Sequence, residues 1–198
     1  ITKCLKAAAS AIGYRALSND ERDREKRTGM KIGKAVVGLH KAPAMPPFTA
    51  TTVILKMNED GSVTANLSLV DYGQGTYTSI QQIVAERLGF PVDRVKVAFE
   101  SDTDRDPYDW QTVASKGLLL SGNAAILAAE DLLKNAYEVA AQALRAQVQD
   151  LSHDEDRIFV RHHPDSAVTL KELSIGYAFP NGNSIGGPLV GVGRYIAQ

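Results

Sequence analysis

Three groups of side chains in this sequence of 198 residues have types and spacings that could do chemistry. The first is Gly73-Gln74-Gly75, inside the run Tyr72 to Thr78. Glycines let a chain turn sharply and leave backbone N–H groups uncovered, while the Gln74 amide can both donate and accept, as recognition of a heterocycle or an oxo group requires. The helix-like run that follows adds unpaired N–H donors and the positive end of a helix dipole, so phosphate is the natural guest; a ligand-free strand-to-helix turn is the other reading. The second group is Asp102, Asp104, Asp106 and Asp109, beside Pro107 and the single tryptophan Trp110, leading into Thr112-Val113-Ala114-Ser115. Paired carboxylates can serve as acid and base, but next to a proline they are also ordinary turn residues, and that reading is favoured. The third group is histidine: His40 has no second ligand at a metal-like spacing, and adjacent His162 and His163 would face opposite sides of a strand, so no metal site is assigned.

The elements that must position these groups follow from periodicity. Thr51 to Met57 and Ser62 to Val70 are β-type runs joined by Asn58-Glu59-Asp60-Gly61, which predicts an antiparallel hairpin. After Gly75 a helix runs to Leu88, with Tyr77, Ile80, Val84 and Leu88 as its buried stripe, Thr78 and Gln81 as a capping box, and Gly89 and Pro91 as its stop. Asp93 to Phe99 is a further strand. A stripe of Leu120, Ala124, Leu127, Ala128, Leu132, Ala136, Val139 and Ala143 predicts a helix within Lys116 to Gln149, where Gly122 marks a close helix contact or a late start. Such a helix would be about 50 Å long if unbroken, at ~1.5 Å per residue. If the strands ending at Val70 and Phe99 share a sheet, the intervening helix makes them parallel neighbours, and Gln74 and Ser115 then face one crevice at the carboxyl ends of the strands. Two sets of uncovered N–H groups would converge there on a polyphosphate.

Around this core the readings are plainer. Ile1 to Leu17 is helical, with Cys4 in its apolar stripe as a core thiol, and Asn19 to Arg27 interleaves four acids and four bases as a solvated surface. Ile32 to Leu39 reads as a short strand, His40 to Pro47 as a proline-rich loop, and Ile158 to Arg161 as a strand with His162 at its exit. Thr169 and Glu172 can cap a short helix through Ile175, and the glycine-rich stretch Asn181 to Gly193 carries no closing element of its own. The fold class is α+β: a mixed sheet with a hairpin and a strand-helix-strand unit packed against long helices.

A hydrophobic share of 44%, a charged share of 23% and a net charge of -1 describe an ordinary globular chain without the clustered Lys and Arg of a nucleic-acid surface. No apolar run reaches the ~20 residues of a membrane span. One cysteine fits a reducing compartment, and a cytoplasmic location is expected. Several familiar sites fail on detail. A dinucleotide fingerprint wants a third glycine where Thr78 stands, no Gly-Lys-Ser/Thr completes a Walker loop, and Gly-x-Ser-x-Gly is absent.

Taken together, Tyr72-Gly73-Gln74-Gly75-Thr76-Tyr77-Thr78 with Gln82 to Gly89, then Asp102-Thr103, Pro107-Tyr108 and Thr112-Val113-Ala114-Ser115 with Gly122-Asn123-Ala124, resemble the molybdenum-cofactor-binding large subunit of the xanthine dehydrogenase and aldehyde oxidase family. The resemblance implies that Gly73, Gln74, Gly75, Val113, Ala114 and Ser115 contact a molybdenum-pyranopterin, as molybdopterin or its dinucleotide form, with Thr112 in support. It implies an oxidoreductase that hydroxylates an aldehyde or N-heterocycle with water-derived oxygen. Iron-sulfur clusters, with or without FAD, would lie on other domains or subunits, and the full enzyme would be a dimer. The chain is then one partial domain of a larger subunit, inactive alone, with a lead-in over 1–50, the cofactor loops over 51–150 and an extension over 151–198. No catalytic residue is assigned, because the family's general-base glutamate lies in a Gly-Glu segment and this chain has none. Lys116 stands where the family commonly has Arg, and Gly117 where it often has a hydroxyl. The alternative is a non-enzymatic α+β binding or assembly module in which the Gly-Gln-Gly turn is purely structural.

Overall fold

The computed structural model describes residues 1–39 and 46–197. The reading of His40 and Pro43 lies outside the described residues. The chain divides into two units, Ile1–Ala44 and Met45–Gln198, each described by itself.

In the first unit, α1 spans Thr2–Ala11 and α2 spans Asn19–Thr28. Ser18 caps α2 reciprocally with Glu21, and Gly29 ends it in the left-handed region, so the dense charges of this stretch form a capped, solvated helix. Lys34 Nζ donates to Glu21 at 2.7 Å and to the carbonyls of Gly13 and Ala16, tying the end of α1 to the start of α2. Two expectations fail here. Cys4 is exposed, since α1 buries none of its residues. Ile32 to Leu39 forms no strand: among the described residues no strand is paired with it, and a β run without a ladder partner has nothing to satisfy its backbone.

The second unit begins with β1 (Ala50–Met57) and β2 (Val63–Asn66), the expected hairpin, with Leu55 opposite Ala65 and Gly61 at φ 83° in the turn. The strand reading overran by four residues, because Leu67 to Val70 leave the sheet while Leu67 and Leu69 stay buried. Next come α3 (Thr76–Leu88), a short 3-10 turn over Val92–Arg94, and β3 (Val95–Val97), shorter than Asp93 to Phe99. β3 pairs parallel with β2, as the strand-helix-strand reading required. The long helix α4 occupies Gly117–Leu144, with Leu120, Ala124, Ala128, Leu132, Ala136 and Val139 buried and Leu127 exposed. β4 (Leu151–Asp154), β5 (Arg157–Val160) and β6 (His163–Thr169) form an antiparallel sheet, and β7 (Tyr177–Ala178) pairs with β8 (Ser184–Ile185). Thr169 and Glu172 do exchange capping hydrogen bonds, but over hydrogen-bonded turns rather than a helix.

The glycine-rich tail does carry a closing element, contrary to its loop-like composition. It ends in β9 (Val190–Ile196), which pairs antiparallel with the whole of β1 and completes the sheet order β3-β2-β1-β9. The glycines are there because α4 lies directly on this strand. A Cβ at Gly191 would sit 2.1 Å from the Ala128 carbonyl oxygen, and one at Gly193 1.9 Å from that of Ala124. Small residues on both sides let helix and strand backbones touch, which fixes where along the sheet α4 lies. Gly122 does mark a close helix contact, with its Cβ position 3.2 Å from Ile83 of α3.

Candidate functional site

Two loops meet at the carboxyl ends of the parallel pair. Residues 67–75 lead from β2 into α3, and 98–116 lead from β3 into α4. Val70 N–H donates to Thr112 Oγ1 at 2.9 Å, and the Tyr72 hydroxyl donates to the Thr112 carbonyl at 2.8 Å, so one residue of the second loop is held by two of the first. Tyr72, Gln74, Thr76, Thr112, Val113, Ala114, Ser115, Gly117 and Leu118 line a pocket of about 360 Å³. Gln74 and Ser115 therefore share the one crevice that the topology demanded. A larger hollow, about 530 Å³, lies on the other face of the sheet around Ile54, Asn66 and Phe99. The smaller pocket is the better candidate, because it joins a helix start, two bare-backbone loops and polar side chains, whereas the larger one is an uncovered sheet face.

The first loop is organised by a residue that motif reasoning passed over. Asp71 Oδ1 accepts from Gly73 N–H at 2.9 Å and Gly75 N–H at 3.2 Å, and its Oδ2 accepts from Tyr77 N–H at 3.1 Å. These bonds, that of Gly73 foremost, hold the Asp71 carboxyl below its ordinary pKa. Two of the donors expected to await an anion at the start of α3, those of Gly75 and Tyr77, are thus already covered by a carboxylate of the chain itself. An acidic residue two positions before the first glycine was the available signal. The Thr78–Gln81 capping box is not formed: Gly75 is the N-cap, and Gln81 Nε2 instead donates to the Val95 carbonyl at 2.7 Å, tying α3 to β3. Gln74 ties the loop back on itself. Its Oε1 accepts from Tyr72 N–H at 2.8 Å, and its Nε2 donates to the Val70 carbonyl at 3.0 Å and to Thr76 Oγ1 at 3.2 Å. Gly73 and Gly75 have φ of 113° and 78°, and nothing lies within 4 Å of where their Cβ atoms would be. The result is a rigid loop with a bare outer surface open to a flat partner.

The second loop ends in two successive left-handed residues, Ala114 and Ser115, both at φ 57°. For residues with a Cβ this costs on the order of 1–2 kcal/mol each. Strain of that size persists where surrounding structure over-determines it, typically at ligand-binding turns. The loop is anchored on β1 through Thr52 N–H to the Tyr108 carbonyl and Trp110 N–H to the Ala50 carbonyl. Immediately after it begins α4, whose N-cap Lys116 makes no side-chain cap, so this helix offers its first-turn donors at the pocket wall formed by Gly117 and Leu118. A hydroxyl-bearing side chain at Gly117 would bring its Cβ to 2.7 Å from Leu69 Cδ1, so Leu69 would have to shift to admit it. The aspartates behave as turn residues: Asp102 accepts from Asp104 N–H, and Asp106 accepts from Asp102 N–H. Among the described residues there is no group of three His, Cys, Asp or Glu side chains able to hold a metal ion.

Comparison with known proteins identifies the arrangement. Residues 7–197 match the family described as molybdopterin cofactor-binding domain. The chain belongs to this family. Its curated relatives include the carbon monoxide dehydrogenase large chain of Afipia carboxidovorans, 34% identical over 120 residues, covering 61% of this chain and 15% of that one. They also include the xanthine dehydrogenase molybdenum-binding subunit of Escherichia coli O157:H7, 31% identical over 122 residues, covering 61% of this chain and 16% of that one. Among solved structures, reconstituted CO dehydrogenase from Oligotropha carboxidovorans superposes with a TM-score of 0.65 at 30% identity, covering 73% of this chain and 18% of that one. The chain thus spans about a sixth of the length of the relatives it matches. It is a molybdopterin cofactor-binding domain of the kind found in xanthine dehydrogenase and CO dehydrogenase large subunits, and the fold class read from the sequence holds. Among the described residues no helix is long and apolar enough to cross a membrane.

Proposed function

We propose that this domain supplies the pterin- and phosphate-binding loops of a molybdenum hydroxylase, and that its two loops divide the cofactor between them. The observation that carries the reading is their convergence on one pocket with opposite electrostatic character. The Asp71-filled loop, its donors and the Gln74 amide already satisfied within it, presents a flat glycine surface without side chains, which suits the face of a neutral heterocycle. The strained Val113-Ala114-Ser115 turn, at the uncapped start of α4, suits an anion. The residues present fit a pyranopterin with its phosphate. Gly73, Gln74 and Gly75 would hold the ring system, Val113, Ala114 and Ser115 the phosphate or its dinucleotide extension, and Thr112 would keep the loops in register through its bonds to Val70 and Tyr72.

When bound, the molybdenum cofactor supplies two-electron oxidation of an aldehyde or N-heterocycle carbon with oxygen from water. This chain's residues bind and orient it and keep the loops rigid. The remainder of the subunit would complete the pocket and provide the general base, so the domain by itself would not turn over. Iron-sulfur and flavin carriers on neighbouring domains or subunits, a dimeric full enzyme and a cytoplasmic location belong to the same reading. Metal and pterin analysis of the complete subunit, purified with its neighbours, tests it: molybdenum with a fluorescent pterin oxidation product is expected, and their absence from a properly matured sample refutes it. Gln74→Ala, which removes three hydrogen bonds that shape the loop, should lower bound molybdenum while the domain still folds; unchanged metal content would remove Gln74 from the site.

A further inference from the structure

Lys116 is the one large side chain in the described core that carries a formal charge. It is 1% exposed, and its Nζ has no hydrogen-bond partner. The ammonium lies 4.8 Å from the centre of the Trp110 ring, over its face. Trp110 is itself fixed to β1 by its N–H to the Ala50 carbonyl at 3.1 Å. Asp109, on the same turn, has a buried Oδ1 that also lacks a partner. Burial pulls the Lys116 pKa down, and the Asp109 charge pulls it back up. An unpaired amine in a core is costly, and an apolar side chain of similar length would pack there at less cost, so stability alone gives no reason for it.

Its place in the chain gives one. Lys116 immediately follows Ser115, is the N-cap of α4, and its N–H bonds back to the Val113 carbonyl at 3.3 Å. We infer that Lys116 is a buried supporting charge for the anion held by the Val113-Ala114-Ser115 turn: it acts through the loop's low-dielectric underside without touching the ligand, and Asp109 attenuates it. This rests on the loop assignment proposed above and names which part of the bound group, its phosphate, the second loop recognises. In a buried setting solvent screens such a field weakly, so it adds to the first-turn donors of α4. The Trp110 face holds the ammonium without neutralising it, as a cation–π contact does and a carboxylate partner would not.

The arrangement predicts unequal effects for two neighbouring substitutions. In the complete, matured subunit, Lys116→Met should lower retained molybdopterin, read as pterin and molybdenum per subunit after dilution and gel filtration, on the order of tenfold. Asp109→Asn should lower retention less than Lys116→Met does, because it removes an opposing charge but also the group that favours the Lys116 ammonium against burial. Lys116→Arg should behave as the parent does, and the melting temperature of cofactor-free Lys116→Met should match or exceed that of the cofactor-free parent. If Lys116→Met alone fails to fold, the double variant with Asp109→Asn removes both charges and should fold with low retention. Equal loss in Lys116→Met and Asp109→Asn would make the two a structural pair and overturn the inference, as would retention unchanged in Lys116→Met. A parent protein without any pterin would refute the cofactor reading itself and this inference with it, an outcome separate from a loaded parent whose Lys116 variants are equally loaded.

Discussion

Replacing Gly193 with alanine tests whether α4 really is seated on the backbone of β9. The added Cβ would lie 1.9 Å from the Ala124 carbonyl oxygen, 2.5 Å from the Ala128 amide nitrogen and 2.9 Å from the Ala124 carbonyl carbon, whereas real Cβ atoms essentially never come closer than 3.0 Å. Helix and strand must therefore part by about 1.1 Å, the difference between 1.9 and 3.0 Å. All three obstacles are backbone, so no rotamer change relieves them. Ala124, Ala128 and Leu132 are fully buried along this contact, and separating the layers opens the core as well as straining it. Overpacking of this kind costs about 3 kcal/mol or somewhat more. Restricting the unfolded chain returns about 0.4–1 kcal/mol. The net of roughly 2–3 kcal/mol corresponds to a fall in melting temperature of about 5–10 °C for a domain this size. Thermal unfolding followed by circular dichroism measures it, with Gly187→Ala as the control, because nothing lies within 4 Å of its Cβ position and it should be near neutral. A Gly193→Ala protein that melts with the parent would mean that α4 does not rest on this strand, and the argument for how its N-terminus is placed would fall.

Two further outcomes are expected. Asp71 has a carboxyl pKa held below its ordinary 3.8 in the folded state, so its contribution to stability is present above the unfolded value and is lost as pH falls through the folded one. Asp71→Asn should accordingly be less stable than the parent at neutral pH and converge with it in acid below about pH 4; a gap that stays constant across that window in urea unfolding would rule out the carboxylate as the loop's organiser. Gly117→Ser places a Cβ 2.7 Å from Leu69 Cδ1, the end of a flexible but fully buried side chain, and should cost roughly 1–2 kcal/mol by denaturant unfolding. Combining it with Leu69→Val should recover part of that loss, and purely additive losses would show that Leu69 is not the obstacle.

How much of this was legible in the sequence depends on whether a signal was local or long-range. The Asn58 to Gly61 hairpin, the Gly89 stop and most of the buried stripes of α3 and α4 are encoded within a few residues, and the structure bears them out except at Leu127, which is exposed, and at Tyr77 and Ala143, which are half-buried. The parallel pairing of β2 with β3 followed from topology, because an intervening helix leaves little else, and it brought Gln74 to Ser115 as expected. β9 was missed because its glycines look like loop composition. Their meaning lies in Ala124 and Ala128, more than sixty positions earlier in the chain, which no local window contains. The Thr78–Gln81 box was a valid local pattern overridden by tertiary structure: Gln81 found the Val95 carbonyl, and Asp71 had already served the helix start. Lys116 was noted only as a substitution for Arg, since burial of a lysine cannot be read from its type.

These long-range terms also decide the geometry of the site. The first loop is rigid because its own residues satisfy it, through Asp71 and Gln74, and it would keep its shape without a ligand. The second loop has a single bond across Ala114 and Ser115, from Lys116 N–H to the Val113 carbonyl; beyond its tie to the first loop at Thr112, its shape is set by Trp110 on β1 and by the start of α4. α4 in turn is positioned by Gly191 and Gly193 of β9, and β9 by its full-length pairing with the same β1 that holds Trp110. Both anchors of the strained turn therefore refer to one strand. A displacement between β9 and α4 would move Ser115 relative to Trp110 while leaving Gln74 in place, separating the half of the pocket suited to an anion from the half suited to a ring.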